Sequence, residues 1–296
     1  MTAYDGFFIV DKPSGVTSFA MVGLLRRLTG VRRVGHAGTL DPLASGVLPV
    51  AVGHATRLIE YTDDHPKTYV ARVRFGAATD TYDADGEVVA TGDASKLRAE
   101  DIAAALPAFE GDIQQTPPRY SAIKLEGKPL YRYAREGVEI APTSRTVHVE
   151  RIELRAFAAE TAEIAVRCRK GTYVRSIAHD LGERLGCGAH LAGLVRSGSG
   201  GFSIEDAHAP EALRAAAGDG RLIELMLAAD RAVERLPAGI FDPAHTRDVL
   251  AGRDVHGKGR PPGIVARAYS TEGAFLGMLR SRGAGFWHPE KVLGTG

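Results

Sequence analysis

Residues 35–48 read Gly35-His36-Ala37-Gly38-Thr39-Leu40-Asp41-Pro42-Leu43-Ala44-Ser45-Gly46-Val47-Leu48. The glycines let the backbone turn tightly or approach a ligand closely. Asp41 stands between two leucines, so its carboxylate is a candidate for partial burial. Two interpretations stay open: a reactive carboxylate in a loop, or an aspartate that caps a helix beginning at Pro42. We expect the wider segment 34–54 to form a loop between apolar runs.

The chain has 296 residues, enough for one large domain or two unequal ones and for a sizeable core. It is 44% hydrophobic and 25% charged, which is ordinary for a folded protein. Cys168 and Cys187 are the only cysteines, too few for a disulfide framework or a four-cysteine zinc site. Because the sequence has neither a membrane-length apolar run nor a secretory signal, we expect a cytoplasmic protein without membrane contact.

The net charge of +1 hides an uneven distribution. Residues 77–112 carry nine acidic and two basic residues, and their first part predicts a surface loop or hairpin. Residues 165–200 carry six basic and two acidic residues, and residues 246–283 carry seven basic and three acidic. Basic segments permit nucleic-acid binding without a high overall pI. From charge alone, ordinary solvated faces remain the better interpretation.

Hydrophobic patterns place several elements along the chain. A strand is predicted at 7–10, and a helix from Thr17 or Ser18 to Leu28 is predicted to end at Gly30. Residues 111–130 carry three prolines and few regular signals, which is typical of a functional insertion. A break at 236–239 precedes short strand-like runs and predicts a small appended β domain. The other predicted elements are strands at 67–75, 146–157 and 161–174, and helices at 99–106, 174–185 and 210–233.

Motifs for metal or nucleotide chemistry are absent from the sequence. It contains no HExxH, CxxC or GxSxG pattern, and its ten histidines lack metal-ligand spacing. Residues 252–258 approach a phosphate-binding P-loop, but Gly259 replaces the Ser or Thr that would bind magnesium. We therefore expect neither a metal nor a cofactor.

Three further side chains are candidates for chemistry. Arg175, at a predicted strand-to-helix junction, either pairs with a buried carboxylate and keeps it ionised or is an exposed first-turn arginine. Tyr69, in a predicted strand, either packs in the core or stacks on a planar ligand. His36 either stabilises its loop or stacks on a base.

Taken in order, the motifs of this sequence resemble those of the TruB family of tRNA pseudouridine-55 synthases. The resemblance extends from residue 7 to residue 202. It rests on six ordered motifs, at residues 11–18, 35–48, 67–76, 117–135, 171–175 and 186–202.

The resemblance implies an α+β fold: a mixed, mainly antiparallel sheet with flanking helices and an RNA-binding thumb loop. It places a catalytic domain at 1–233, with the thumb insertion at 111–135, and a small PUA-like RNA-binding β domain at 237–296. The implied reaction converts uridine 55 in the T loop of tRNA into pseudouridine. That isomerisation breaks the N-glycosidic bond and re-forms it at C5, so it needs no cofactor.

The same resemblance implies roles for individual residues. Asp41 is the essential carboxylate, either as a nucleophile or as a base that removes a sugar proton, and Arg175 keeps it ionised. Tyr69 stacks on the flipped base and handles the C5 proton, and His36 fills the space that the base leaves. The residues expected to bind the substrate or support its pocket are His36, Tyr173, Leu194, Lys12, Arg119 and Lys124.

Two rival functions stay open. Relatives in guide-RNA-dependent particles share the catalytic motifs, but the complete 111–135 insertion favours a stand-alone enzyme that grips tRNA without guide RNA. A non-catalytic RNA-binding protein or tRNA-folding chaperone would have no need of Asp41. We expect a monomer, since no apolar stripe demands a partner.

Overall fold

The computed structural model describes residues 4–62, 65–120, 124, 125, 127–129, 133, 136, 138 and 143–293. The rest of the predicted thumb insertion, including residues 121–123 and 130–132, lies outside the described residues. The helices are α1 (Ser18–Thr29), α2 (Ile59–Thr62), α3 (Ala99–Ala105), α4 (Val174–Arg184), α5 (Pro210–Gly218) and α6 (Pro243–Leu250).

The strands of the first sheets, in chain order, are β1 (Gly6–Lys12), β2 (Val34–His36), β3 (Ala44–Val52), β4 (Lys67–Phe75), β5 (Ala77–Thr79), β6 (Val88–Thr91), β7 (Gly111–Gln115), β8 (Lys124–Leu125), β9 (Lys128–Pro129), β10 (Arg145–Ala158), β11 (Thr161–Cys168), β12 (Ala189–Ser199), β13 (Phe202–Ser203) and β14 (Leu227–Ala228). Five more complete the described part: β15 (Ala238–Phe241), β16 (Val255–His256), β17 (Val265–Ser270), β18 (Phe275–Gly283) and β19 (Phe286–Val292).

A large sheet runs in the order β14-β1-β3-β12-β4-β11-β10-β7, with β2 paired to β3 and β13 to β12. All its pairings are antiparallel except that of β12 with β3, where Leu194 lies opposite Ala44 and Arg196 opposite Gly46. This mixed, mainly antiparallel sheet with flanking helices confirms the predicted α+β fold class. The parallel pairing brings the start of β3 beside the middle of β12.

Strand β1 is buried on both faces. Phe8 and Val10 belong to the core that includes side chains of α1 and α4, whereas Phe7 and Ile9 point into a second core. Because successive residues of a strand face opposite sides, a strand covered on both sides must be apolar at every position. This explains the continuous apolar run at residues 7–10.

The second sheet has the order β15-β17-β18-β19-β16. Met278 of β18 is fully buried in the same core as Phe7, and Arg57 donates to the carbonyl of Val292 (2.6 Å). The small β unit expected after the 236–239 break is therefore present and packed against the large sheet. The domain boundaries at 233 and 237 and the PUA-like character of residues 237–296 stay predictions.

Local signals at the first helix act as predicted. The Thr17 side chain accepts from the amide of Ala20, and Gly30 ends α1 with a left-handed φ of 68°. Among the described residues, no helix is both long and apolar enough to cross a membrane.

Two predicted elements are wrong. Residues 34–54 are not a loop throughout, because 44–52 form the buried strand β3, whose partners β1 and β12 are distant in sequence. Residues 210–233 are not one helix, because α5 ends at Gly218 and is followed by short 3-10 turns and β14. Gly220 adopts a φ of 72°, and this left-handed backbone stops the helix despite its alanine-rich sequence.

Replacing Gly46 with alanine should destabilise the protein by more than about 3 kcal/mol. Gly46 has a φ of 96°, and a Cβ there would lie 2.3 Å from the carbonyl oxygen of Arg196. Gly15→Ala is the matched control, since its φ is 84° but no atom lies within 4 Å of the added Cβ. The control substitution should lower the free energy of unfolding only by the backbone strain, about 1–2 kcal/mol. Urea unfolding of both variants measures the difference, and equal losses would contradict the close approach of β12 to β3.

Candidate active site

The turn that carries Asp41 lies between β2 and β3. The amide of Ala44 donates to the carbonyl of Asp41 (3.1 Å), which closes a turn before β3 begins. The Ser18 hydroxyl accepts from the amide of Leu40 (2.8 Å) and donates to its carbonyl (2.9 Å). Since a strand and not a helix follows, the interpretation of Asp41 as a helix cap is wrong.

Two fully buried cations donate hydrogen bonds to the backbone of this turn and of the segments next to it. Arg196 donates to the carbonyls of Val47 (2.7 Å), Gly38 (3.1 Å) and Thr39 (3.3 Å). The Lys12 ammonium donates to Val16, Pro13 and Pro42. A buried charge needs such partners to offset the loss of water. The backbone on both sides of Asp41 is thereby fixed.

Arg175 holds the carboxylate itself. Its Nη2 lies 2.9 Å from Oδ2 of Asp41, and its Nη1 lies 3.2 Å from Oδ2 of Asp83. The carbonyls of Thr81 and Tyr120 accept from the same guanidinium. Arg175 is 5% exposed, so the interpretation as an exposed first-turn arginine is wrong. The Asp41 side chain remains 39% exposed, so one face of its carboxylate is open to a substrate.

Burial and charge oppose each other at Asp41. Desolvation raises the pKa of this carboxyl, the Arg175 guanidinium lowers it, and the nearby Asp83 carboxylate raises it. Burial shifts the pKa of Lys12 in the opposite direction from that of Asp41. It lowers the pKa of Lys12 to about 8, although the Asp41 carboxylate favours the charged form of the lysine. The arginine therefore offsets part of the effect of burial and favours the ionised carboxylate at neutral pH.

An open pocket of about 220 Å³ lies over this carboxylate. Asp41, Tyr69, Tyr173, Arg175 and Leu194 all line it. Burial raises the pKa of Tyr69, although Arg196 partly counteracts this, so its hydroxyl is protonated at neutral pH. The fold thus brings a carboxyl group paired with an arginine, two aromatic rings and an apolar side chain into one cavity.

Two guanidinium groups contact the ring of Tyr173. The Cζ of Arg145 lies 5.3 Å from the ring centroid, and that of Arg175 lies 6.0 Å away. Arg145 also donates to the carbonyl of Gly171, in the loop that precedes α4. A ring held by cation–π contacts of this kind is a fixed wall of the pocket.

Other predicted site residues lie outside the pocket lining. His36 sits in β2, half-buried, and desolvation lowers its pKa, so its ring is neutral. Arg119 is exposed near Tyr82, whose pKa it lowers in part. Lys12 supports the turn and does not reach the solvent. Lys124 belongs to the short strand β8, and its side chain lies outside the described residues.

Sequence reasoning missed two residues of the site. Asp83 lies in the acidic segment for which the sequence predicts a surface loop or hairpin, yet its side chain is 7% exposed. Arg196 falls within the motif at 186–202, and the sequence indicates no role for it. Neither residue carries a local signal, because an aspartate in an acidic run and an arginine in a basic run both resemble ordinary surface residues.

The groups that line the pocket are suited to acid–base or nucleophilic chemistry. Within the part of the chain that the structure describes, no cluster of His, Cys, Asp and Glu side chains is arranged to hold a metal ion. A carboxylate paired with a buried arginine, in a cavity that two tyrosines also line, suits an enzyme that acts on a planar polar substrate.

Two solved structures share the fold of this chain. A Cbf5-Nop10-Gar1 complex has a chain with a TM-score of 0.75 and 27% identity, covering 96% of this chain and 80% of that one. An H/ACA RNP bound to a substrate RNA containing 2′-deoxyuridine matches in fold, with a TM-score of 0.76, 24% identity and coverage of 99% and 86%.

Among curated proteins, the tRNA pseudouridine synthase B of Thiobacillus denitrificans is 42% identical over 293 residues, 99% of this chain and 97% of that protein. The protein of the same name from Dehalococcoides mccartyi is 39% identical over 98% of this chain and 96% of its own length. Residues 26–174 match the N-terminal domain of TruB family pseudouridylate synthases, and residues 175–234 match the tRNA pseudouridylate synthase B C-terminal domain. The chain belongs to the TruB family and is a pseudouridine synthase, an isomerase.

Removing either neighbouring charge should move the pKa of Asp41 in opposite directions. Arg175→Gln removes a charge that lowers this pKa, so the carboxyl should titrate at higher pH. Asp83→Asn removes a charge that raises it, so the carboxyl should titrate at lower pH. Carboxyl ¹³C NMR titration, with Asp41→Asn to assign the resonance, measures both shifts. Shifts of the same sign in both variants would contradict the electrostatic network.

Proposed function

We propose that this protein converts uridine 55 in the T loop of tRNA into pseudouridine, as a stand-alone cytoplasmic enzyme. The observation that carries the proposal is the Arg175–Asp41 pair in the open pocket, 2.9 Å apart, with one face of the carboxylate exposed. Full-length relatives named tRNA pseudouridine synthase B support tRNA as the substrate.

The target uridine must leave its loop before it reaches Asp41. Extruding a base costs a few kcal/mol. Stacking on an aromatic ring returns about 1–3 kcal/mol, and Tyr69, which lines the pocket, is proposed to supply it. Leu194 gives the ring an apolar contact on the pocket wall. His36, neutral and half-buried in β2, is proposed to fill the place that the base vacates in the RNA.

The reaction conserves all atoms. The bond between N1 of uracil and C1′ of ribose breaks, the ring rotates, and C5 forms a bond to C1′. The C5 proton is then lost and N1 is protonated, so no electrons enter or leave. Ionised Asp41 either forms a transient bond to the sugar or removes a sugar proton during cleavage. Arg175 favours the charge that both routes require.

Basic side chains around the pocket suit the RNA backbone. Lys67, Arg169 and Lys170 line the pocket, and Arg119 and Lys124, within the predicted thumb insertion at 111–135, are proposed to add RNA contacts. Residues 237–296 are proposed to add contacts as a PUA-like domain. Phosphate contacts would make tRNA affinity fall steeply with salt.

Guide-RNA-dependent action is the alternative, since an H/ACA RNP shares the fold. The purified chain, assayed on transcribed tRNA without guide RNA, separates the two possibilities. Full activity supports the stand-alone enzyme, and activity only after addition of a guide RNA would overturn that part of the proposal.

The decisive test measures tritium release from tRNA transcribed with 5-tritiated uridine. Bond formation at C5 must expel the C5 hydrogen, so wild-type protein should release about one equivalent per tRNA. Asp41→Asn keeps the shape of the side chain, removes its charge and should abolish release. Asp219→Asn, at an exposed aspartate after α5, is the matched control and should behave as wild type. Normal turnover by Asp41→Asn would exclude Asp41 from the chemistry.

Tyr69→Phe should bind tRNA with nearly wild-type affinity and yet stall. The ring still stacks, but the hydroxyl that could exchange the C5 proton is gone. Single-turnover kinetics at saturating enzyme measure the rate, and filter binding measures the affinity.

Tyr61→Phe is the control, because it removes a hydroxyl that contacts Glu290 (3.1 Å), away from the pocket. An unchanged rate in Tyr69→Phe would leave that tyrosine with a stacking role only.

A further inference from the structure

The residue between Thr81 and Asp83 has an unusual backbone. Tyr82 has a φ of 64°, in the left-handed region, and is one of four such non-glycine residues in the described part of the chain. The other three lie at the turns that join β10 to β11 and β18 to β19. Tyr82 lies in the longer loop between β5 and β6, and a left-handed tyrosine persists there only where the surroundings hold it.

Both neighbours of Tyr82 hold Arg175. The Thr81 carbonyl lies 3.3 Å from Nη1 of that arginine, and Oδ2 of Asp83 lies 3.2 Å from the same atom. The left-handed residue between them lets a carbonyl and a side chain two positions apart converge on one nitrogen. The left-handed backbone of Tyr82 therefore positions two acceptors for the guanidinium that pairs with Asp41.

The Tyr82 ring stacks on His179. The ring centroids are 3.9 Å apart, and the planes differ by 6°. His179 lies on α4, four residues after Arg175, so the two side chains share one helix face. The same short turn thus holds α4 at two points, by its polar groups at Arg175 and by its ring at His179.

We propose that Tyr82 and His179 are positioning residues whose ring stack keeps Arg175 aligned with Asp41. Without the stack, the backbone of Tyr82 returns to a negative φ, because that conformation has a lower free energy. The rotation carries the Thr81 carbonyl and the Asp83 carboxylate away from Nη1 of Arg175. Arg175 then loses two of its four acceptors and its fixed orientation. The importance of this alignment for turnover rests on the proposed function, whereas the alignment itself does not.

Neither ring of the stack depends on a charge of its own. Asp180, Glu183 and Arg119 act on Tyr82, and burial raises the pKa of that tyrosine, so its ring is neutral at working pH. Nδ1 of His179 is buried and has no hydrogen-bond partner among the described residues. The contribution of His179 is therefore expected to come from its ring face.

Four variants test the stack. Tyr82→Ala removes the ring and keeps the backbone strain, whereas Tyr82→Gly removes the ring and relieves the strain. His179→Ala removes the second ring, and His179→Phe keeps a flat ring for Tyr82 to stack on. Glu160→Gly is the matched control, because it relieves a φ of 58° at the distant β10–β11 turn.

The first readout is the Asp41 carboxyl titration by ¹³C NMR, which needs no substrate. Tyr82→Ala and His179→Ala should each raise the titration midpoint, because a misaligned Arg175 lowers the pKa of Asp41 less. His179→Phe and Glu160→Gly should leave it unchanged. The titration midpoint in Tyr82→Gly should lie between those of wild type and Tyr82→Ala, since glycine can keep the turn without strain.

The second readout is the single-turnover rate on tRNA, with affinity measured separately. Each alanine variant should lose about three- to tenfold in rate, the size expected for one ring–ring contact, with unchanged tRNA affinity. The double alanine variant should lose no more than the worse single variant, because both changes remove one interaction.

An unchanged Asp41 titration in both alanine variants would overturn the inference. So would a rate loss in His179→Phe equal to that in His179→Ala. If wild type fails to modify tRNA while the titration shifts appear as expected, the proposed function fails and the positioning role stands.

Discussion

Three cations buried next to one turn determine the site. Lys12 and Arg196 are fully buried and Arg175 is nearly so, and water is not available to solvate their charges. Each must find oxygen acceptors inside the protein. Residues 38–47, which comprise the Asp41 turn and the start of β3, supply acceptors for all three. The cost of an unpaired buried charge makes any other course of this turn unfavourable. Asp41 is fixed as a consequence.

The sheet explains how three distant segments supply these cations. Lys12 ends β1, Arg196 lies in β12, and both strands flank β3, which follows the turn. Arg175 comes from the first turn of α4, which packs on β12. A carboxylate held from a rigid sheet and a packed helix is better placed for chemistry than one held from loops alone.

The opposing effects on Asp41 suit a site that must admit RNA. Burial raises its pKa and Arg175 lowers it, while a large part of the side chain stays open to the pocket. An exposed carboxylate would repel phosphates without a compensating cation, and a fully buried one would not reach a base. Lys67, Arg169 and Lys170, which also line the pocket, and the paired arginine offset the negative charge of Asp41, so that it repels a polyanion less.

The sequence by itself determined the family, the fold class and much of the pocket. Its local signals were reliable where neighbours in sequence suffice, as in the Thr17 cap and the Gly30 stop of α1. Ordered motifs also pointed to Asp41, Tyr69, Tyr173, Arg175 and Leu194, which the fold gathers around one cavity.

Only the tertiary structure decided what depends on distant partners. The segment after Asp41 becomes a buried strand because β1 and β12 pair with it, although its glycines and proline suggest a loop. Asp83 and Arg196 look like surface charges in the sequence and are buried because each meets a partner more than 90 residues away. Burial of a charge is favourable only when the complete set of partners is assembled, and that set exists only in the folded chain.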